Sequence, residues 1–304
     1  MRCLILLATY NGEKHLDEQL ASCANQSAGQ IDVLVSDDNS TDRTPELLKD
    51  WQARWDRGEF KVISGPRSGF AENFRHLMLN SADGYDCYAF CDQDDKWHPD
   101  KLAIAIEALM SSGDQAAVYC GRTRLTDEAG NYDGHSPVMM RPPSFENALF
   151  QSLAGGNTMV LNAAAIALLR EVSHDCHFVS HDWWTYIWVT GVGGRVIYDT
   201  NAKVDYRQHS GNLIGKNSGP RARLRRFAML LTNQYSNWIT LNFESIGQHI
   251  DMLSPENRRL VESLIAARKR SGLRFAKELS KARVYRQSKV GTLSLYAGAF
   301  LGRV

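Results

Sequence analysis

Three mostly apolar runs in this 304-residue chain each stop at a polar cluster, and that repeat narrows the folds open to it. Residues 2–9 end at Thr9-Tyr10-Asn11-Gly12, residues 31–36 at Asp37-Asp38-Asn39-Ser40-Thr41-Asp42, and residues 85–91 at Asp92-Gln93-Asp94-Asp95. Runs without a clean polar alternation suit strands covered on both faces, as in a parallel sheet. Helical patterns fall between them: 13–26, a segment capped by Thr41 or Asp42 that runs through Trp51 and Trp55, and 69–79. A strand is expected at 60–64, and Pro99 opens a helix through Met110, where its missing N–H costs little. The alternation predicts an α/β fold, a mostly parallel doubly wound sheet with helices on both faces. In such sheets ligands bind beyond the carboxyl ends of the strands, where all three clusters fall.

Asp92, Asp94 and Asp95 place three carboxylates in four positions at the end of a buried strand. They repel one another, and burial penalises each. A divalent cation with hard oxygen ligands, Mg²⁺ or Mn²⁺, relieves both costs and is often shared with a phosphate. The plainer alternative is a solvated turn built from Asp, which the second acidic cluster after an earlier strand disfavours. No Gly-x-x-x-x-Gly-Lys-Ser/Thr loop is present, which argues against a P-loop ATPase. No Gly-x-Gly-x-x-Gly follows the first strand, which argues against a dinucleotide dehydrogenase. The site expected from these clusters is a nucleoside diphosphate pocket with one metal. There Thr9 to Gly12 offer backbone groups to a base or ribose, Asp38 accepts from the imide N–H of uracil or thymine, and Asp92 and Asp94 share a cation and a ribose hydroxyl.

Beyond Ala116 short strands are expected within 118–125, 157–161, 195–198 and 203–206, with a tryptophan-rich helix from His181-Asp182. A carboxylate at a helix start beside indoles is partly desolvated, which suits Asp182 to general-base work. The alternative is a capping Asp among core tryptophans. His209, ahead of the flexible Ser210-Gly211-Asn212, is a candidate metal or diphosphate ligand, although most single histidines are not ligands. Gly155-Gly156-Asn157-Thr158 would let an acceptor approach the backbone, or is an ordinary turn before a strand. Gly156, Asn157 and Trp183 are the acceptor candidates. His174, His177 and His181 have the spacing of a zinc site on one helix face, but the residues between them look like a loop.

Charge divides the chain. Residues 1–202 hold 16 Lys and Arg against 28 Asp and Glu, a net of −12; residues 203–304 hold 19 against 6, a net of +13. Two domains are expected: a catalytic domain over 1–215 and a basic helical region over 216–304. From Pro220 onward Leu224, Phe227, Leu231, Trp238 and Leu241 recur at helical spacing, behind Arg221, Arg223, Arg225 and Arg226. Segment 221–250 is thus a candidate for an anionic membrane surface, or for a solvated face docked on the acidic domain. Its aromatic residues follow core periodicity, so no nucleic-acid partner is expected. Six cysteines without metal spacing suit a reducing compartment. With no signal pattern and no apolar run of roughly 20 residues, the expected location is cytoplasmic, peripheral on the inner face of the plasma membrane if the basic segment binds lipid.

The order Ala8-Thr9-Tyr10-Asn11-Gly12, then Asp37 to Asp42, then Asp92-Gln93-Asp94-Asp95, resembles family 2 glycosyltransferases of the A-type fold over roughly residues 1–215. Gly69-Phe70-Ala71-Glu72-Asn73-Phe74, His181-Asp182-Trp183-Trp184 and Tyr206-Arg207-Gln208-His209 resemble bacterial rhamnosyltransferase-type members. The resemblance implies that Thr9, Tyr10 and Glu13 line the nucleotide, with Asp38 on the base. Asp92 and Asp94 would form the metal and diphosphate motif, Asp182 the catalytic base, and His209 a late metal or diphosphate contact. It implies inverting transfer of a sugar, rhamnose in that subfamily, from a dTDP- or UDP-linked donor. The acceptor would be a hydroxyl of a glycan or lipid-linked molecule in bacterial surface polysaccharide synthesis. A metal-dependent nucleotide-sugar hydrolase and a non-catalytic sugar-nucleotide-binding protein are the alternatives.

Overall fold

A computed structural model describes residues 1–209 and 233–304. The chain forms two compact units. One holds Met1–Val138, Ala154–His174 and the described residues of Arg195–Gly215; the other holds Met139–Leu153, Asp175–Gly194 and the described residues of Lys216–Val304.

In the first unit the strands are β1 (Arg2–Thr9), β2 (Gln30–Asp37), β3 (Phe60–Ser64), β4 (Cys87–Cys91), β5 (Lys96–Trp97), β6 (Ala117–Gly121), β7 (Arg124–Thr126), β8 (Tyr132–His135), β9 (Val160–Asn162), β10 (Arg195–Asp199) and β11 (Val204–Arg207). Its helices are α1 (Leu16–Ala24), α2 (Thr44–Arg54), α3 (Phe70–Asn80) and α4 (Lys101–Met110). A seven-stranded sheet runs β10-β6-β9-β4-β1-β2-β3. Parallel pairing joins β1 to β2 and β4, β2 to β3, and β6 to β10. Only β9 among these seven runs antiparallel, wedged between β4 and β6. The fold is thus the mostly parallel α/β sheet that the sequence predicts.

Both faces of the sheet are covered. Cys3, Ile5 and Leu7 of β1 share a core with Leu16 and Leu20 of α1, Leu48 and Trp51 of α2, and Leu102 and Ile106 of α4. Leu4 and Leu6 point the other way, and on their side Phe90 meets Phe74 of α3 edge to face at 5.6 Å. Full burial of each such Leu contributes about 1.5–3 kcal/mol over leaving it in water. Register then fixes the site. Thr9 pairs with Asp37, and Leu7 with Cys91, so the three polar clusters emerge at one edge.

A smaller sheet, β5-β11-β7-β8, lies beside residues 94–97. Because β5 follows Asp95 directly, its antiparallel pairing with β11, Val204 against Trp97, brings the chain after Val204 back along Asp95 and Asp94.

The second unit is helical: α5 (Phe145–Ala148), α7 (His181–Gly191), α8 (Gln234–Gln248), α9 (Pro255–Arg270), α10 (Gly272–Lys281) and α11 (Lys289–Phe300). Helix α6 (Ala163–Glu171) belongs to the first unit, where the sequence pattern suggested only strands and loops. Asn162 caps it by accepting from Ala165 N at 3.0 Å, a local signal directly after the strand expected at 157–161. All eleven residues of α7 are buried, and Phe150 packs on Phe243 and Phe275.

Of the residues spaced through 224–241, Leu224, Phe227 and Leu231 lie outside the described residues, and Trp238 and Leu241 are only half-buried; the buried face of α8 is Tyr235, Ile239, Phe243 and Ile246. Segment 221–250 likewise falls partly outside the described residues. His174 and His177 precede α7 in a loop, so the three histidines share no helix face. No helix among the described residues is long and apolar enough to cross a membrane.

Candidate active site

The loops after β1 and β2 are interlocked by backbone-to-side-chain hydrogen bonds. Asn11 N donates to Ser40 Oγ at 2.8 Å, Gly12 N to Thr44 Oγ1 at 2.8 Å, and Glu13 N to Asp42 Oδ2 at 3.1 Å. In return Thr41 N donates to Asn11 Oδ1 at 2.8 Å and Arg43 N to Glu13 Oε2 at 2.9 Å. Asn11 and Asn39 take left-handed conformations (φ 48° and 71°), which Asn tolerates better than most residues. Of the nucleotide candidates, Tyr10 is 56% exposed and Glu13 is exposed, whereas the Thr9 side chain is buried and its hydroxyl donates to Gln93 Oε1 at 2.7 Å.

Asp38 is buried and turned into its own surroundings. Arg67 N donates to Oδ1, and Gly69 N to Oδ2 at 3.0 Å. Arg67 (φ 61°) and Gly69 (φ 87°) both adopt left-handed backbone to aim these N–H groups. Asn73, on α3, braces the same edge by donating to Ser36 O at 3.0 Å.

The loop after β4 carries the remaining acids. Gln93 clips it to the loop after β1, accepting from Tyr10 N at 2.8 Å and donating to Tyr10 O at 3.1 Å. Asp92, directly after β4, is half-buried. Asp94 and His209 meet side chain to side chain, Oδ2 to Nε2 at 2.8 Å, and each is about one-sixth exposed. His15 packs on the His209 ring at 5.5 Å, and burial, helped by the charge of Arg207, lowers the pKa of the His15 imidazole. Asp95 is fully buried and accepts from Asn157 Nδ2 and Arg207 N. Burial, then repulsion from Asp94 and Asp92, raises its pKa well above the ordinary carboxylate range. Asn157 O accepts from the buried Lys101 Nζ at 2.8 Å, and this ammonium lies 3.1 Å from the Trp97 ring centroid. Burial lowers Lys101 to about 8.

Arg207 holds the loop from its far side. Its Nε donates to Asp94 O at 3.2 Å, Nη1 to Glu128 O at 2.9 Å, and Nη2 to Glu18 on α1. The backbone and guanidinium of one residue therefore grip both Asp94 and Asp95, two positions before His209.

Asp182 and Trp183 belong to the second unit, in the first turn of α7. Asp182 is buried and accepts from Ser152 Oγ at 3.0 Å; Trp183 Nε1 donates to Ala148 O at 2.6 Å. Gly156 and Asn157 lie in the first unit, buried in a 3₁₀ turn before β9.

Sequence reasoning missed Gln93, Asn73 and Arg207 as structural parts of the site. Each stands inside a quoted motif, and an amide or guanidinium beside strand-end acids was the available signal. Their partners lie 37 to 189 residues away in the chain, which spacing cannot reveal.

With this geometry in view, the fold is that of A-type glycosyltransferases. The structure of S. aureus TarS in complex with UDP matches at a TM-score of 0.56 and 17% identity, covering 100% of this chain and 89% of that one. A mannosyltransferase of Pyrobaculum calidifontis, solved with GDP-Man and Mn²⁺, matches at a TM-score of 0.50 and 16% identity, covering 99% and 85%. Residues 4–176 match glycosyl transferase family 2, and the chain belongs to that family. Within the family it is similar to bacterial rhamnosyltransferases. The dTDP-rhamnosyl transferase RfbG of Shigella flexneri is 27% identical over 248 residues, covering 77% of this chain and 82% of RfbG. An uncharacterized Mycobacterium tuberculosis protein is 26% identical over 213 residues, and the chain spans 58% of its length.

Proposed function

We propose that this chain transfers a sugar, rhamnose as the first choice, from a dTDP- or UDP-linked donor to a hydroxyl of a glycan or lipid-linked acceptor, with inversion, in bacterial surface polysaccharide synthesis. The observation that carries this reading is the Asp94–His209 pair at the carboxyl edge of the sheet, beside the interlocked loops after β1 and β2. Family membership and the similarity to RfbG support it.

Among the described residues no three His, Cys, Asp or Glu side chains gather as a metal cage. The donor set still fits a divalent cation: the carboxylate suits Mn²⁺ or Mg²⁺, and the imidazole beside it favours the softer Mn²⁺ of the two. Asp94 and His209 would hold the ion, which when bound neutralises charge growing on the leaving diphosphate. The protein's own groups do the rest. Tyr10, Glu13 and Asp92 contact the nucleotide, and Thr9 and Asp38 shape the loops that receive it. Asp182 takes the acceptor proton as its oxygen attacks the anomeric carbon opposite the diphosphate. Its place in the first turn of α7 and the hydrogen bond from Ser152 Oγ support that role, because they hold the carboxylate in one orientation.

The test measures acceptor-dependent release of nucleoside diphosphate across a panel of nucleotide sugars. Asp182→Asn is expected to retain donor binding and lose about 10³-fold in turnover, within the range for a positioned base. Turnover at the wild-type rate would remove Asp182 from the mechanism. Release without any acceptor would move the assignment to a hydrolase.

A further inference from the structure

Helix α11 is apolar on two faces, and only one of them is used inside its unit. Leu295, Gly298 and Ala299 are buried, while Val290, Leu293, Ala297 and Phe300 recur at spacings of three and four on the outside. Val290 is 74% exposed, Leu293 68% and Phe300 58%, and Leu301 follows at 68%. Leu273 at the start of α10 is exposed as well, and its neighbour Gly272 lies against the carbonyls of Ala299 and Phe300, where a Cβ would come within 2.5 Å of each. Close backbone contact there, and hydrogen bonds from Tyr296 Oη to Val284 O and Leu279 O, fix the helix so that the apolar stripe points outward. Eleven large apolar side chains stand exposed among the described residues, and five of them lie between Leu273 and Leu301.

Charge selects the occupant. Residues 279–304 contain Lys281, Arg283, Arg286, Lys289 and Arg303 and no Asp or Glu. All of these except Arg286 are exposed, and Arg286 is half-buried. A second copy of the same face would bring cation against cation, and a stripe of twelve residues is too short for a stable helix pair by itself. An in-plane apolar stripe bordered mainly by cations, with a single half-buried carboxylate, Glu278, paired to Lys281, matches the boundary of an anionic bilayer, where the apolar groups enter the acyl region and the cations meet phosphate. We propose that α11, with Leu273 and Leu301 at its end, docks this protein on an anionic lipid surface.

This assignment is independent of the glycosyltransferase chemistry, and its test uses no activity. The full chain is sedimented with vesicles of phosphatidylglycerol and phosphatidylcholine, and with phosphatidylcholine alone. Binding is expected only to the anionic vesicles, weakening as salt rises. Leu293→Glu with Phe300→Glu, both at exposed positions, is expected to lower partitioning by about tenfold or more, since apolar contact is lost and repulsion added. Thermal unfolding of the double variant confirms that the fold is kept. A second variant, Arg283→Glu with Lys289→Glu, should lose most of the salt-sensitive part. Wild-type partitioning by the Leu293/Phe300 variant overturns the proposal. So does an absence of lipid binding with self-association that those substitutions abolish, which would make the face a contact between copies.

Discussion

Asp38 and Asp94 stand at the carboxyl ends of β2 and β4, on either side of β1, and they are held in opposite ways. Both oxygens of Asp38 accept from backbone N–H groups, those of Arg67 and Gly69, in a loop whose left-handed residues exist to present them. Backbone donors cannot turn aside without refolding the loop. Asp94 instead meets a side chain, the imidazole of His209, which can rotate or take a different partner at little cost. One acid is built into the architecture and the other is exchangeable. A ligand or ion that needs a carboxylate can compete for Asp94 far more easily than for Asp38.

The largest expected effect tests the exchangeable side. Asp94→Ala should cut turnover with Mn²⁺ by about 10²–10³-fold, the range for removing one charge-stabilising group from a transfer site. Unfolding in urea should change little, because Asp94 leaves behind only a partly exposed histidine. Asp38→Ala should do the reverse. Two backbone donors lose their acceptor, and the midpoint should fall by the equivalent of about 2–4 kcal/mol. If Asp94→Ala destabilises the fold as much as Asp38→Ala, the contrast between the two loops is wrong.

The sequence made half of this contrast readable. Strand ends at Thr9, Asp37 and Cys91 follow from apolar runs that a parallel sheet must bury on both faces, and the structure ends β1, β2 and β4 there. The gathering of their polar clusters at one edge followed from topology alone. What spacing could not give is which acid each loop encloses. Arg67 and Gly69 are 29 and 31 positions from Asp38, and His209 is 115 from Asp94. The partners of Asp94 arrive only because β11 pairs antiparallel with β5, a two-residue strand too short to leave any periodicity. Strand β9 was legible as a strand but not in its direction, since three buried residues look the same either way.

Arg207 sharpens the comparison from the scaffold's side. It is buried and binds Asp94 by its carbonyl, Asp95 through its own N–H, and Glu18 and Glu128 with its guanidinium nitrogens. Arg207→Lys keeps the charge and the backbone bond but loses the planar fork that reaches three partners at once. The apparent affinity for Mn²⁺, measured from the metal dependence of turnover, should weaken by about tenfold, the lower range for groups that orient metal ligands. The maximal rate at saturating metal should fall much less. A purely structural role would lower stability and leave that metal dependence unmoved.

The smallest expected effect concerns the other cation that contacts Glu128. Lys14 pairs with the carboxylate of Glu128, but the two side chains are 65% and 53% exposed. Water and salt screen such a pair, and ordering two long side chains offsets much of its attraction. Lys14→Ala should therefore cost about 0–1 kcal/mol, shrinking towards nothing as ionic strength rises, and should leave the metal dependence alone. Arg207 grips Glu128 by its main-chain carbonyl from a buried position, so its contribution should persist in salt. Measuring both variants at low and high salt separates a loop anchored from the interior from one merely decorated at its surface. Equal salt sensitivity in the two would mean that the anchor of Asp94 is electrostatic and exposed, and the distinction between a fixed loop and an exchangeable acid would lose its physical basis.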